Sequence, residues 1–92
     1  MTFQLVRTSH FDRQLARFVR RHPDLKPRIA SLLRDLESDP FQPHLRLHPL
    51  SGELEGIYAA SLTHAYRLTL TITPTDQEIV LLDIGSHDDV YR

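Results

Sequence analysis

The chain predicts an α+β domain in the order β-α-α-β-β-β, an antiparallel sheet with a helix hairpin packed on one face. Three observations predict it. Apolar residues recur twice at helical spacing, first as Phe11, Leu15, Phe18 and Val19, then as Leu25, Ile29, Leu32, Leu33 and Leu36. Tyr66, Leu68, Leu70 and Ile72 then alternate with Arg67, Thr69 and Thr71, the pattern of a strand with one buried face. Finally, Ile79 to Ile84 is nearly all apolar, as in a strand covered on both sides.

Each element follows from local chemistry. Phe3 and Leu5 alternate with polar neighbours, which predicts a first strand over about residues 2–7. Ser9 is the expected N-cap of a helix starting near His10, because its hydroxyl can take up an unpaired backbone N–H. His22-Pro23 ends that helix, since a residue before proline is driven out of helical angles. A second helix is expected over about 24–37, closed by Asp39-Pro40. Residues 38–53 read as a connector, kept from helix by Pro40, Pro43 and Pro49. Ile57 to Leu62 reads as a strand, and Thr73-Pro74-Thr75-Asp76 as a hairpin turn.

Composition narrows the function. Ninety-two residues make a single domain, 1–92, with a small core. The absence of cysteine excludes disulfides and thiolate metal sites. Arg7, His10, Asp12, Arg13, Arg17 and Arg20 break the first twenty residues, and no apolar run reaches membrane-span length, so a cytoplasmic protein with no membrane partner is expected. Residues 1–50 hold nine Lys/Arg against five Asp/Glu, while residues 51–92 hold two against seven. Arg13, Arg17, Arg20 and Arg21 crowd the first helix, and with Arg46 they are candidate contacts for RNA or an acidic protein. The alternative is a solvated basic helix pair beside an acidic sheet.

No Gly-rich phosphate loop, GxSxG elbow or HExxH pair is present. His44 and His48 are four apart but lie among prolines, so no metal site and no cofactor are expected. A phosphodiesterase without metal is compatible with what remains. RNA carries its own nucleophile in the 2′-OH, and such an enzyme needs proton carriers and a cation for the phosphate. His48, His64, Arg67, His87, Asp88 and Tyr91 fall near expected strand ends. The bland readings are that Arg67 pairs with Asp83 across the sheet, that Tyr91 packs, and that His48 is a turn residue.

The stretches His48-Pro49-Leu50-Ser51-Gly52-(x3)-Gly56, Tyr66-Arg67-Leu68 and Leu82-Asp83-Ile84-Gly85-Ser86-His87-Asp88-Asp89-Val90-Tyr91 resemble the RelE/ParE toxin superfamily, nearest its RelE and YafQ-like branch. The resemblance spans nearly the whole chain in element order, with its specific part in residues 48–91. It implies the toxin of a type II toxin–antitoxin module: a metal-independent, ribosome-dependent endoribonuclease (an mRNA interferase) cutting mRNA in the A site and silenced by a cognate antitoxin. By resemblance the catalytic set is His48, Arg67, His87 and Tyr91, with Arg67 on the phosphate and His64 and Asp88 as possible auxiliaries. The sequence departs from the pattern at Ser61 and Ala65, where the YafQ-like branch has His and Asp, and in having Lys26 as its sole lysine. The resemblance therefore also leaves room for a ParE-like inhibitor of DNA gyrase, and for a catalytically degenerate module that only binds its antitoxin.

Overall fold

A computed structural model describes residues 2–90. Five strands form one sheet: β1 (Gln4–Arg7), β2 (His48–Pro49), β3 (Tyr58–Ser61), β4 (Tyr66–Thr73) and β5 (Glu78–Ser86). Two long helices, α1 (Ser9–Arg21) and α2 (Lys26–Ser38), separate β1 from the rest, and a single turn, α3 (His87–Val90), follows β5. The α+β architecture with a helix hairpin on one face is as the sequence predicts.

The boundaries differ in ways that chemistry explains. Thr8, rather than Ser9, caps α1: its hydroxyl oxygen accepts the Phe11 N–H at 3.0 Å and its O–H donates to the Leu81 carbonyl at 2.9 Å. Both residues are good caps by type, but only Thr8 has the extended backbone that a cap needs. α1 ends at Arg21, with His22 as its C-cap before proline. A 3₁₀ turn over Pro23–Leu25 then delays α2 to Lys26.

The helices and sheet share one core. Phe11, Phe18, Ile29, Leu32 and Leu36 pack against Ala60, Leu62, Leu68, Leu70, Ile79, Leu81 and Ile84. Each fully buried large side chain contributes about 1.5–3 kcal/mol by leaving water, so this interface dominates the stability.

The sheet order is β1-β5-β4-β3-β2. β2 to β5 run antiparallel, but β1 lies parallel to β5, with Gln4 opposite Glu78 and Arg7 opposite Leu81. The sheet is therefore mixed, which corrects the expectation of a purely antiparallel one. Alternation records which face of a strand is buried, and says nothing about the direction of its neighbour. The second correction is β2, a two-residue strand inside the expected connector, paired through His48 with Ala59 and through Pro49 with Tyr58. Proline is tolerated there because β2 is an edge strand.

A bulge re-phases β5. Thr69 is opposite Asp83, but Leu70 is opposite Leu81, so Leu82 is the extra residue. Ile79 and Leu81 face the helices before it, and Ile84 does so after it. The apolar run Ile79–Ile84 thus arises partly from this phase change. Val80 and Leu82 are half-buried, so the second face is covered only in part. Leu54, Ile57 and Val90 line a hollow with Thr69 and Leu82 on that face.

Candidate functional site

The register sets which side chains share a face. His48, Ala59, Thr69 and Asp83 form one row across β2 to β5, and Ser61, Arg67 and Gly85 form the next. Ala60, Leu68 and Ile84, the row between them, belong to the helix-side core, so both rows point to the other face. Arg67 and His48 are therefore on the face that the helix hairpin leaves open. His87 begins α3 two residues past Gly85, the partner of Arg67, which puts the two Cα atoms within about 13 Å by chain reach alone.

Arg67 is half-buried, and its guanidinium is held at the β3–β4 turn. Its Nη1 donates to the Thr63 carbonyl at 3.1 Å and to the His64 carbonyl at 3.4 Å. Guanidinium has five N–H donors, so an anion can still be met in the fork geometry that favours phosphate. The same bonds brace the turn, so Arg67 has a structural duty as well. The pairing of Arg67 with Asp83 is not what forms. Asp83 accepts the Ile84 N–H at 2.8 Å and lies 3.3 Å from the His10 Nε2.

A cavity of about 250 Å³ opens at this end of the sheet, lined by Arg28, His44, Arg46, Ser61, Leu62, Thr63, His64 and Arg67. It brings together Arg67, His64 and Arg46, three of the residues singled out in the sequence. No Asp or Glu among the described residues lines it. Three arginines line this one small hollow, an excess of positive charge that favours an anion there. Arg46 sits in the left-handed region, at φ 52° and ψ 41°, where it closes the Pro43–Leu45 turn. A non-glycine residue there costs about 1–2 kcal/mol. Such outliers gather where a side chain must be aimed.

Arg28 was not singled out in the sequence, and His44 was weighed there only as a metal ligand. The Nε of Arg28 donates to the Leu62 carbonyl at 3.0 Å, and the Nε2 of His44 lies 2.9 Å from Oδ2 of Asp35. A signal existed: Arg28, Ser31 and Asp35 form a polar stripe on α2 at helical spacing, and all three line a second hollow next to His44.

The other candidates do not line this cavity. His48 is exposed on β2, with Nδ1 3.1 Å from the Arg46 carbonyl. His87 and Asp88 are exposed on α3. Arg13, Arg17, Arg20 and Arg21 are exposed along α1. Tyr91 falls outside the described residues. Among the described residues, no three His, Asp or Glu side chains gather to hold a metal ion. No described helix is long and apolar enough to cross a membrane.

This architecture, with its helix hairpin and strand order, is the RelE/YafQ-like toxin fold. The chain superposes on YafQ in the Escherichia coli DinJ–YafQ toxin–antitoxin complex with a TM-score of 0.80 over 100% of both chains, at 18% identity. A YoeB/ParE toxin from Agrobacterium tumefaciens gives 0.77 over 92% of this chain and 99% of that one, at 20% identity. A metal-bound toxin from Helicobacter pylori gives 0.70 over 99% of this chain and 100% of that one, at 22% identity. No family model matches the sequence, and no curated protein matches it.

Proposed function

We propose that this protein is the toxin of a type II toxin–antitoxin module and acts as a ribosome-dependent endoribonuclease on mRNA, in the cytoplasm and without a metal cofactor. One observation carries the reading: a fixed Arg67 guanidinium in a hollow with Arg28, Arg46 and two histidines, on a fold shared with YafQ. In this mechanism one imidazole takes the proton of a 2′-OH. The O2′–P bond forms as the P–O5′ bond breaks, and a second group protonates the leaving 5′-oxygen, giving a cyclic phosphate and a 5′-hydroxyl. His48 and His87 are the proposed proton carriers and Tyr91 supports them. Arg67 holds the charge that gathers on the phosphate. His64 and Asp88 stand as auxiliaries, and Arg28 and His44 join the phosphate-facing set.

The test is cleavage of mRNA in a translation extract, with and without excess EDTA, beside a DNA supercoiling assay. Cleaved mRNA that survives EDTA supports the nuclease. Blocked supercoiling with intact mRNA makes it a gyrase inhibitor, and no effect on either leaves an antitoxin-binding module. Cleavage lost in EDTA and restored by zinc alone overturns the metal-free mechanism.

The proposed protein partner is an acidic antitoxin segment lying across α1, where Arg13, Arg17, Arg20 and Arg21 are exposed, and adding a strand to a sheet edge. The β2 edge is short and open to such pairing. Affinity should fall as salt rises, because exposed charges are screened over about 8–10 Å near physiological ionic strength. Affinity that is equal at low and high salt removes the electrostatic part.

A further inference from the structure

On the helix side of the same rim lies a separate cleft of about 370 Å³, lined by residues of α1, β4 and β5. Its working parts are Arg17, Arg21, His22, Tyr66 and Phe18. Phe18, His22 and Tyr66 form a closed ring cluster. Centroids are 4.6 Å apart for Phe18 and His22, 5.0 Å for Phe18 and Tyr66, and 4.8 Å for His22 and Tyr66. Phe18 is buried, so it fixes the other two, which are half-buried and reach the cleft. Arg17 and Arg21 are one helical turn apart, and no Asp or Glu among the described residues lines the cleft.

We propose that this cleft seats one nucleotide of single-stranded RNA, its base stacked on His22, with the Tyr66 ring inclined at 52° beside it, and its phosphate between Arg17 and Arg21. Base stacking on aromatic rings beside a cationic track is how single strands are held without regard to sequence. The size fits a small ligand. A peptide helix would need an apolar groove, and only Phe18 and Ile84 supply apolar side chains here. Tyr66 and Arg67 are adjacent in β4 and face opposite sides of the sheet, as do their partners Ser86 and Gly85. A strand crossing the rim passes from the Arg67 hollow to this cleft. The cleft thus extends the nuclease reading by a neighbouring subsite, yet its occupancy is measured without any cleavage.

The experiment is an NMR titration of the full chain with 5′-AMP, inorganic phosphate and an acidic peptide. 5′-AMP should shift the ring signals of Tyr66 and His22 together with the Arg17 and Arg21 side chains. The Arg17→Ala/Arg21→Ala double variant, changed only at exposed positions, should keep the wild-type melt and bind 5′-AMP about tenfold more weakly or worse. His22→Ala should weaken 5′-AMP by a similar factor and leave phosphate unchanged. Equal effects of phosphate and 5′-AMP with unmoved rings overturn the stacking. Shifts from the acidic peptide alone make the cleft a protein-docking site instead. A protein that cleaves no mRNA but binds 5′-AMP here retains the cleft and loses only the nuclease reading.

Discussion

Tyr66 and Arg67 are neighbours in the chain, yet they serve two different hollows. The Arg67 hollow draws on α2, the Pro43–Leu45 turn, β3, the turn after it and β4. The Tyr66 cleft takes both of its arginines from α1, and His22 just after that helix and the ends of β4 and β5 complete it. One is assembled from distant pieces, and the other is largely the polar side of one helix. An assembled hollow fixes its groups to backbone carbonyls, as Arg67 and Arg28 are fixed. In the helix-borne cleft Arg17 bonds to the Gln14 side chain of its own helix rather than to a backbone carbonyl. The first geometry suits holding charge as it develops, and the second suits holding ligand.

The broadest way to break this contrast is to remove what both hollows stand on. Leu68 is fully buried beneath the start of β4. Leu68→Ala should lose about 2–5 kcal/mol, a large share of the roughly 5–15 kcal/mol available to a small domain. Urea unfolding should report that loss, and both hollows should fail together. If one persisted alone, they would not share a support.

Arg67→Ala and His87→Ala probe the assembled hollow and its rim. Cleavage should fall about 10²–10³-fold for the first and about 10²–10⁴-fold for the second. The melts should differ. Arg67→Ala gives up its bonds to Thr63 and His64 and should lose about 1 kcal/mol, whereas exposed His87 should lose almost nothing. Wild-type cleavage by both folded variants would remove them from the catalytic set. Adding nucleotide should leave the Tyr66 cleft responsive in both.

Two smaller changes sharpen the contrast. Thr8→Ala should cost about 1–2 kcal/mol in thermal unfolding, through the lost cap and the lost tie to Leu81. Amide exchange should quicken at the start of α1 and stay unchanged at the β3–β4 turn. Arg46→Gly should melt no lower than the parent, because glycine accepts the left-handed backbone that Arg46 occupies. RNA cleavage should nevertheless drop. A lower melt would mean that the Arg46 side chain stabilises the fold.

The helices were legible because their apolar residues repeat at helical spacing, and β4 because its apolar residues alternate over eight positions. The parallel partnership of β1 was hidden, since four residues of alternation carry no direction. β2 was hidden because two residues show no period and one of them is proline. In the Arg67 hollow, Arg67, His64 and Arg46 were legible through resemblance and placement. Arg28 and His44 were not, because their roles arise from contacts with Leu62 and Asp35, thirty-four and nine residues away. The Tyr66 cleft was half legible. The arginines stood out as a charge run, but nothing in the sequence joined them to a ring cluster whose members lie on α1 and β4.

The parallel pairing of β1 with β5 also sets a clock. Gln4 meets Glu78, seventy-four residues later in synthesis. At about 5–20 residues per second, the first strand waits roughly 4–15 s for its neighbour to be made. Gly85 and Ser86, which line the Tyr66 cleft, arrive later still. The Tyr66 cleft cannot close while the nascent chain lacks its last strand, so whatever it binds, it binds only after translation has passed that point.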